Sequence, residues 1–382
     1  MKVSLSLLAT AALALAAPTP NMKRADKMQF FGVNESGPEF GEGTLPGAYG
    51  KEYIWPTPST IDTFIANGMN TFRINTLMER MVPNKMTGAF DAGYMKNLTA
   101  SVNYITNKGA YAMIVPHNYG RYYGQVFTSA SDFKTFWQNV AAQYKGNSRV
   151  IFDTNNEFHD EAGQNVANMN QAAVDGIRAA GATSQYIMVE GNAWTGAWTW
   201  TTVTGTDGNT NAQTMGALKD PQNKIIYQVR HLPLEHSAGW CEWTDFCEQM
   251  HQYLDVDGSG THDACVSATI GSERLQAATT WLRQNKKKGL IGEFAGAVNP
   301  TCQAAVQDML AFINKNNDVV SCYLSHVSDV PVMTARLMTV LVQWTGALWW
   351  AAGPWWGNYM FSIEPTSGPA YSTYLPIIKQ YA

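Results

Sequence analysis

Two glutamates stand where acid–base or nucleophilic chemistry would want them. Glu157 follows the run Val150-Ile151-Phe152-Asp153 by four residues, and Glu293 directly follows Gly289-Leu290-Ile291-Gly292. Both runs are short and apolar, as buried strands are. Other polar side chains sit at or near the ends of similar runs. Arg73 lies in Thr71-Phe72-Arg73-Ile74, and His117-Asn118 follow Tyr111 to Val115. Asn155-Asn156 precede Glu157, His251 and Tyr253 share Met-His-Gln-Tyr-Leu-Asp, and Trp349-Trp350 close the run from Ala347. One polar residue at a strand end is ordinary loop chemistry. Six such ends brought to one mouth would form a reactive site.

Two carboxyls on opposite walls of such a mouth can divide the roles of acid and nucleophile in glycoside cleavage. One must stay protonated near neutral pH and the other ionised, so their surroundings must push the two apart. Arg73 suits the task of keeping one carboxylate ionised, and Tyr253 could donate to the same oxygen. Asn156 could bond a sugar 2-hydroxyl, and Trp rings offer faces to the C–H side of sugars. The competing reading makes His117, His251 and the two glutamates metal ligands. No HExxH or similar tight pair exists, so neither a metal nor a cofactor is expected.

Elements that could position these groups are legible. Strand-like runs occur at Phe30–Val33, Thr71–Ile74, Tyr111–Val115, Val150–Asp153, Tyr186–Glu190, Ile225–Tyr227, Gly289–Gly292 and Ala347–Trp350. Between them lie stripes of helical period. Ile61, Phe64, Ile65 and Met69 form one, with Gly68 as a stop. Phe133, Phe136, Trp137, Val140, Ala141 and Tyr144 form another, with Ser131 or Asp132 as the expected cap. Val166, Met169, Ala173 and Ile177 make a third, and Val306, Met309, Leu310 and Ile313 a fourth. Strand–helix alternation argues for parallel strands. An open doubly wound sheet and a closed eight-fold barrel are the two candidates. No Gly-rich phosphate loop follows the first strand, and eight strands favour a (β/α)8 TIM barrel with its chemistry at the strands' C-terminal ends.

Composition narrows the partners. The chain has 382 residues, 45% hydrophobic and 15% charged, with a net charge of -4 and no basic block. It is too apolar to be disordered, and nucleic acid is an unsuitable partner. Thirteen Trp and 17 Tyr are a surplus of the kind that serves flat ligands. The apolar run after Lys2 reads as a secretory signal peptide over residues 1–16, too short to span a membrane. Residues 17–24 read as a propeptide ending in the dibasic pair Lys23-Arg24. The mature chain, 25–382, is expected to be one secreted, extracellular catalytic barrel that acts as a monomer on a polysaccharide.

Several motifs together resemble family 5 glycoside hydrolases, and most closely the fungal endo-β-1,4-glucanases (cellulases) of that family. They are Ile151-Phe152-Asp153-Thr154-Asn155-Asn156-Glu157, Ile291-Gly292-Glu293 and Leu348 to Gly357. Phe31 to Gly37 and Gly191 to Trp198 add to the likeness, which covers nearly all of 29–382. The resemblance implies a (β/α)8 barrel and a retaining mechanism, with Glu157 as acid/base and Glu293 as nucleophile. It implies Arg73, His117, Asn156, His251, Tyr253 and Trp350 around them, and Trp194 as a sugar platform. Retention implies carboxyl groups roughly 5–5.5 Å apart. Phe158 departs from the broad family, where Pro usually follows the acid/base Glu. The catalytic pair does not choose the sugar, so a β-mannanase or β-1,3-glucanase stays open, as does a non-catalytic carbohydrate-binding barrel.

Two stretches fit neither the alternation nor the resemblance. Residues 229–249 split Ile225-Ile226-Tyr227-Gln228 from Met250-His251-Gln252-Tyr253, and 320–343 precede the last strand. Both read as translated introns. An intron between codons starts with GT and so with Val, and the common donors continue to Val-Arg or Val-Ser. Val229-Arg230 and Val320-Ser321 match. The usual CAG end reads as Gln, and Gln249 and Gln343 match. Genuine loop insertions are the alternative. Of five cysteines, Cys241, Cys247 and Cys322 fall inside these stretches, leaving Cys265 and Cys302 as one disulfide pair. On this reading both stretches should lie outside the barrel wall, or have weakly defined conformations, with few contacts to the mouth. Strand six would then either keep Ile225–Tyr227 or take Phe246–Glu248 instead.

Overall fold

The computed structural model describes residues 27–230, 264–317 and 344–382. Eight strands alternate with helices along the chain. They are β1 (Phe30–Glu35), β2 (Thr71–Thr76), β3 (Tyr111–Pro116), β4 (Val150–Asp153), β5 (Tyr186–Glu190), β6 (Ile225–Arg230), β7 (Gly289–Phe294) and β8 (Trp344–Ala352). Every neighbouring pair is parallel, and β8 closes on β1, giving a sealed barrel. Each of the eight sequence runs lies within its strand. The fold is the (β/α)8 barrel.

The helices cover the outside. They are α1 (Pro58–Ala66), α2 (Ala92–Asn107), α3 (Ala130–Tyr144), α4 (Gly163–Ala179), α5 (Ile270–Asn285), α6 (Pro300–Lys315) and α7 (Tyr371–Ile378). Between β5 and β6 stand only short turns, Ala193–Thr195, Asn211–Thr214 and Met215–Ala217. The stripe expected for α3 is buried as read. Its cap is Ser129 rather than Ser131 or Asp132, and the Ser129 hydroxyl accepts from the Asp132 N–H. The apolar stripe fixes a helix's face, whereas several neighbouring Ser and Asp residues can serve its end.

Residue alternation divides each strand between two cores. Outward residues such as Phe31, Val33, Phe72, Ile114, Phe152, Val189, Val229 and Ile291 join the helices in one apolar cluster. Inward, Phe30, Met113, Ile151, Met188, Ile226, Leu290 and Leu348 form a separate floor inside the barrel. One inward step further along the strands the chemistry changes. Arg73, Asp153, Glu190, Gln228 and Arg230 all lie buried above that floor. Gly292 leaves the room for Gln228, since a Cβ there would meet the Gln228 side chain at 2.3 Å.

Cys265 and Cys302 form the expected disulfide, with Cα atoms 5.2 Å apart and 37 residues of separation. Cys302 lies in the first turn of α6, where Asn299 caps the helix by accepting from its N–H. Cys241, Cys247 and Cys322 lie outside the described residues, as do residues 320–343 and Phe246–Glu248. β6 keeps Ile225–Tyr227, paired to β5 on one side and β7 on the other. One expectation is corrected here. Val229 and Arg230, the first residues of the supposed insertion, are not outside the wall but extend β6, with Val229 opposite Ile291 and Arg230 opposite Glu293. Val229 is apolar and faces the helices, and Arg230 finds carboxylates inside, so both satisfy the strand's alternation.

The floor should behave as a tightly packed core. Ile151→Ala is expected to cost about 2–5 kcal/mol of unfolding free energy, measured in urea, because the closed barrel cannot collapse around the gap. A loss below about 1 kcal/mol would show that the floor is loosely filled.

Candidate active site

Arg73 organises the mouth. Its side chain has no exposed surface, so its charge must be matched within the protein. Nε donates to Asp153 at 2.9 Å, Nη1 to Asn34 at 2.8 Å and to Glu293 at 2.6 Å. Nη2 donates to Asn156 at 2.8 Å and Glu190 at 3.0 Å. Burial alone would lower its pKa, but Asp153, Glu293 and Glu190 outweigh that and hold the guanidinium charged. Asn34 in turn donates to the carbonyls of Gly292 and Trp349, tying β1 to β7 and β8. Asn34 begins a glycosylation tripeptide, but its amide is fully buried in this network.

Glu157 sits past the end of β4. Its backbone has a left-handed φ of 48°, and its N–H donates to the Glu190 carboxylate at 2.8 Å. The turn that delivers it is fixed by buried bonds. Asn156 N–H donates to Pro116 O, Thr154 N–H to Met188 O, and the Trp137 indole to Thr154 O. Burial pushes the Glu157 carboxyl up to about 8, with Arg230 opposing and the nearby Glu293 adding. Such a group holds a proton at neutral pH. Glu293 at β7 is fully buried and touches the Arg73 guanidinium, with His117 Nε2 3.9 Å from the same oxygen.

Arg230 reaches both glutamates at once. Its Nη1 lies 2.5 Å from Glu157 Oε1 and its Nη2 2.5 Å from Glu293 Oε1. Nη2 also donates to Asn156, and Nε stands 3.8 Å from Glu190. A single guanidinium therefore spans the two carboxylates.

Aromatic residues flank this centre. Trp350 is buried and stacks on His117, ring centres 5.5 Å apart and 22° from parallel. Trp194 is half-buried and stacks on His159 at 4.7 Å and 2°. A cavity of about 330 Å³ has Glu157, His117, Tyr119 and Trp194 in its wall. A second, about 370 Å³, has His117, Tyr119, Trp350, Trp355 and Trp356 in its wall. Glu42, His117 and Tyr119 border both, so the two adjoin. Phe158 is buried against Phe127, and its carbonyl accepts from the Trp194 N–H.

Among the expected site residues the structure gathers Arg73, His117, Asn156, Glu157, Glu293 and Trp350, with Trp194 on the rim. His251 and Tyr253 lie outside the described residues. Four participants were not singled out from the sequence: Arg230, Asn34, Asp153 and Glu190. A signal existed for the last two. Counting by twos from the inward Ile151 and Met188 puts Asp153 and Glu190 inside. Among the described residues no three His, Cys, Asp or Glu side chains gather as metal ligands.

Comparison with known proteins adds an independent line. The family model for cellulase (glycosyl hydrolase family 5) matches residues 24–237 and 242–328. A probable endo-β-1,4-glucanase B of Neosartorya fischeri is 52% identical over 379 residues, covering 99% of this chain and 98% of that protein. The endo-β-1,4-glucanase B of Emericella nidulans is 49% identical, covering 100% and 99%. Among solved structures, XacCel5A in complex with cellopentaose is 32% identical with a TM-score of 0.76, covering 93% of this chain and 99% of that one.

The carboxyls above the floor set a pH dependence of stability. Burial raises Glu39 and Glu161 from 4.5 to about 7, and Glu157 to about 8. Between 4.5 and those values the folded chain binds more protons than the unfolded one. The stabilisation is therefore full below about 4.5 and is lost as pH rises through 7 to 8. Thermal unfolding followed by circular dichroism should show a lower midpoint at pH 8 than at pH 5. A higher midpoint at pH 8 would mean these carboxyls are ionised in the fold.

Proposed function

The chain belongs to the cellulases of glycosyl hydrolase family 5, and from that premise we propose that it cleaves internal β-1,4-glucosidic bonds with retention. The observation that carries this reading is the pair Glu157 and Glu293, buried at the ends of β4 and β7 and both within reach of one guanidinium. Such closeness suits a covalent double displacement, whereas inversion needs a wider gap for a water between the two.

In the first step a Glu293 oxygen attacks the anomeric carbon and a glycosyl ester forms. The glycosidic C–O bond breaks as Glu157 gives its proton to the departing oxygen. In the second step Glu157, now a carboxylate, takes a proton from water. That water attacks the anomeric carbon and releases Glu293. Arg73 supports the first step by keeping Glu293 ionised. It also occupies the Asn156 carbonyl oxygen, which turns the Asn156 amide N–H donors away from Arg73, one towards Glu157 at 3.5 Å and the other towards the place of a sugar hydroxyl. Trp194 and Trp350 would present ring faces on the two sides of the scissile bond. The cellopentaose held by the related bacterial structure supports a β-glucan chain as ligand. The leader-like N-terminus and the fungal relatives support secretion into the medium, where such a polymer is found.

Side-by-side reducing-sugar release from carboxymethylcellulose, mannan and laminarin tests the substrate. Carboxymethylcellulose should be preferred, and preference for mannan or laminarin would reassign the enzyme within the same chemistry. Release from none of them, by the chain or by its Arg230→Ala variant, would leave a carbohydrate-binding barrel.

Roles are separated by substitution. Glu293→Gln should lose turnover of every glycoside to background. Glu157→Ala should lower kcat on carboxymethylcellulose by about 10²–10⁴-fold, the usual worth of a general acid–base. The same variant should lose less on 2,4-dinitrophenyl β-cellobioside, whose leaving group needs no proton, and azide should restore its turnover as a glycosyl azide. Azide rescue in the Glu293 variant instead would exchange the two roles.

A further inference from the structure

The space between Glu157 and Glu293 is the one place where the reacting atoms of a glycoside must sit. An anomeric carbon has to touch Glu293, and the leaving oxygen has to lie within hydrogen-bond reach of Glu157. In this chain both contacts are already taken by Arg230, whose two terminal nitrogens each stand 2.5 Å from one of those carboxyls. We infer that Arg230 is a built-in occupant of the cleavage point, an autoinhibitory contact that keeps the chain, as written, largely latent. This rests on the reading of Glu157 and Glu293 given above.

Position, charge and attachment each support the contact. Arg230 lies at the C-terminal end of β6, opposite Glu293 on β7, so its side chain enters the mouth as the strand's natural inward step. Four carboxyls, Asp153, Glu157, Glu190 and Glu293, are buried there beside two arginines. Without Arg230, Arg73 would be the only buried guanidinium among the described residues facing these four acids. Arg230 therefore gains contacts that a neutral substrate cannot match, with the carboxyls of Glu157, Glu293 and Glu190 all beside its guanidinium. Its backbone is pinned as well. Ala197 N–H donates to the Arg230 carbonyl, and Thr195 bonds the Gln228 carbonyl, both from the loop that carries Trp194. These bonds fix where the side chain starts, and leaving the site would require the guanidinium to give up Glu157, Glu293 and Asn156 together.

The sequence context gives the contact a meaning. Arg230 is the second residue of a stretch that begins with Val-Arg and ends with Gln, the residues that the ends of a translated intron would encode. A transcript that joins Gln228 to Met250 keeps Ile225–Gln228 and places His251 two residues after Gln228, the step that Arg230 holds here. Removal of the stretch would thus replace a fixed cation at the cleavage point by an imidazole.

The test uses the full chain and two variants of it, Arg230→Ala and Arg230→His. Cellotetraose binding is measured by calorimetry, and carboxymethylcellulose hydrolysis by reducing ends. If the unoccupied state is populated near one part in a hundred, both variants should bind cellotetraose about 100-fold more tightly than the unsubstituted chain. Their kcat/KM should rise in parallel. Binding and turnover equal within about threefold in all three proteins would overturn the inference, as would folded variants that bind no better. Tighter binding without any hydrolysis would keep the occupant and sink the glucanase reading instead. If neither variant folds, the unsubstituted chain decides alone. Incubated with 2,4-dinitrophenyl 2-deoxy-2-fluoro-β-cellobioside, it should stay unlabelled by intact mass. Stoichiometric labelling would show that the cleavage point is open.

Discussion

The buried charge of Arg73 is the constraint around which the mouth is arranged. A guanidinium with no exposed surface costs several kcal/mol unless every donor finds an acceptor. Meeting that demand draws Asn34 from β1, Asp153 and Asn156 from β4, Glu190 from β5 and Glu293 from β7 onto one group. The same bonds that satisfy the arginine therefore position the nucleophile candidate and turn the amide beside it. Glu190 carries the constraint one step further, since it bonds both Arg73 and the backbone N–H of Glu157. The left-handed turn at Glu157 and the charge of Arg73 are thus held by one carboxylate.

The barrel makes this possible by separating two kinds of interior. An apolar floor from seven strands supplies packing, and the polar layer above it supplies chemistry. Alternation along parallel strands produces both from the same segments. Placement then sets the two carboxyls apart: both touch Arg230, burial raises Glu157 to about 8, and Glu293 also lies against Arg73. That difference is what acid-assisted displacement requires, and it arises from placement alone, with identical side chains.

Much of this was legible in the residues. The eight strands could be read because each is a short apolar run bounded by polar or glycine residues. Glu157, Glu293 and Arg73 were legible because strand ends meet at one face of a barrel. Asp153 and Glu190 were harder, since their inward direction depends on a strand's phase, which a run of four or five buried residues leaves open on both faces. The cap of α3 was misplaced by two residues because Ser129 and Ser131 offer equal chemistry. Arg230 was the substantive error. A segment that breaks the family pattern was expected to avoid the barrel, yet its first two residues satisfy the strand's alternation as well as those before them. Local alternation and charge pairing hold these two residues in the strand although they break the family pattern. His251 and Tyr253, which the sequence placed in the mouth, lie outside the described residues and leave their contribution to experiment.

The central claim is that Glu157 and Glu293 cooperate through a covalent glycosyl ester. Proton NMR of the first product released from a cello-oligosaccharide, recorded before mutarotation, tests it most directly. Two successive inversions at one carbon predict that the β-anomer of the new reducing end accumulates first. Initial release of the α-anomer would mean a single displacement by water, and would contradict the roles assigned to both residues.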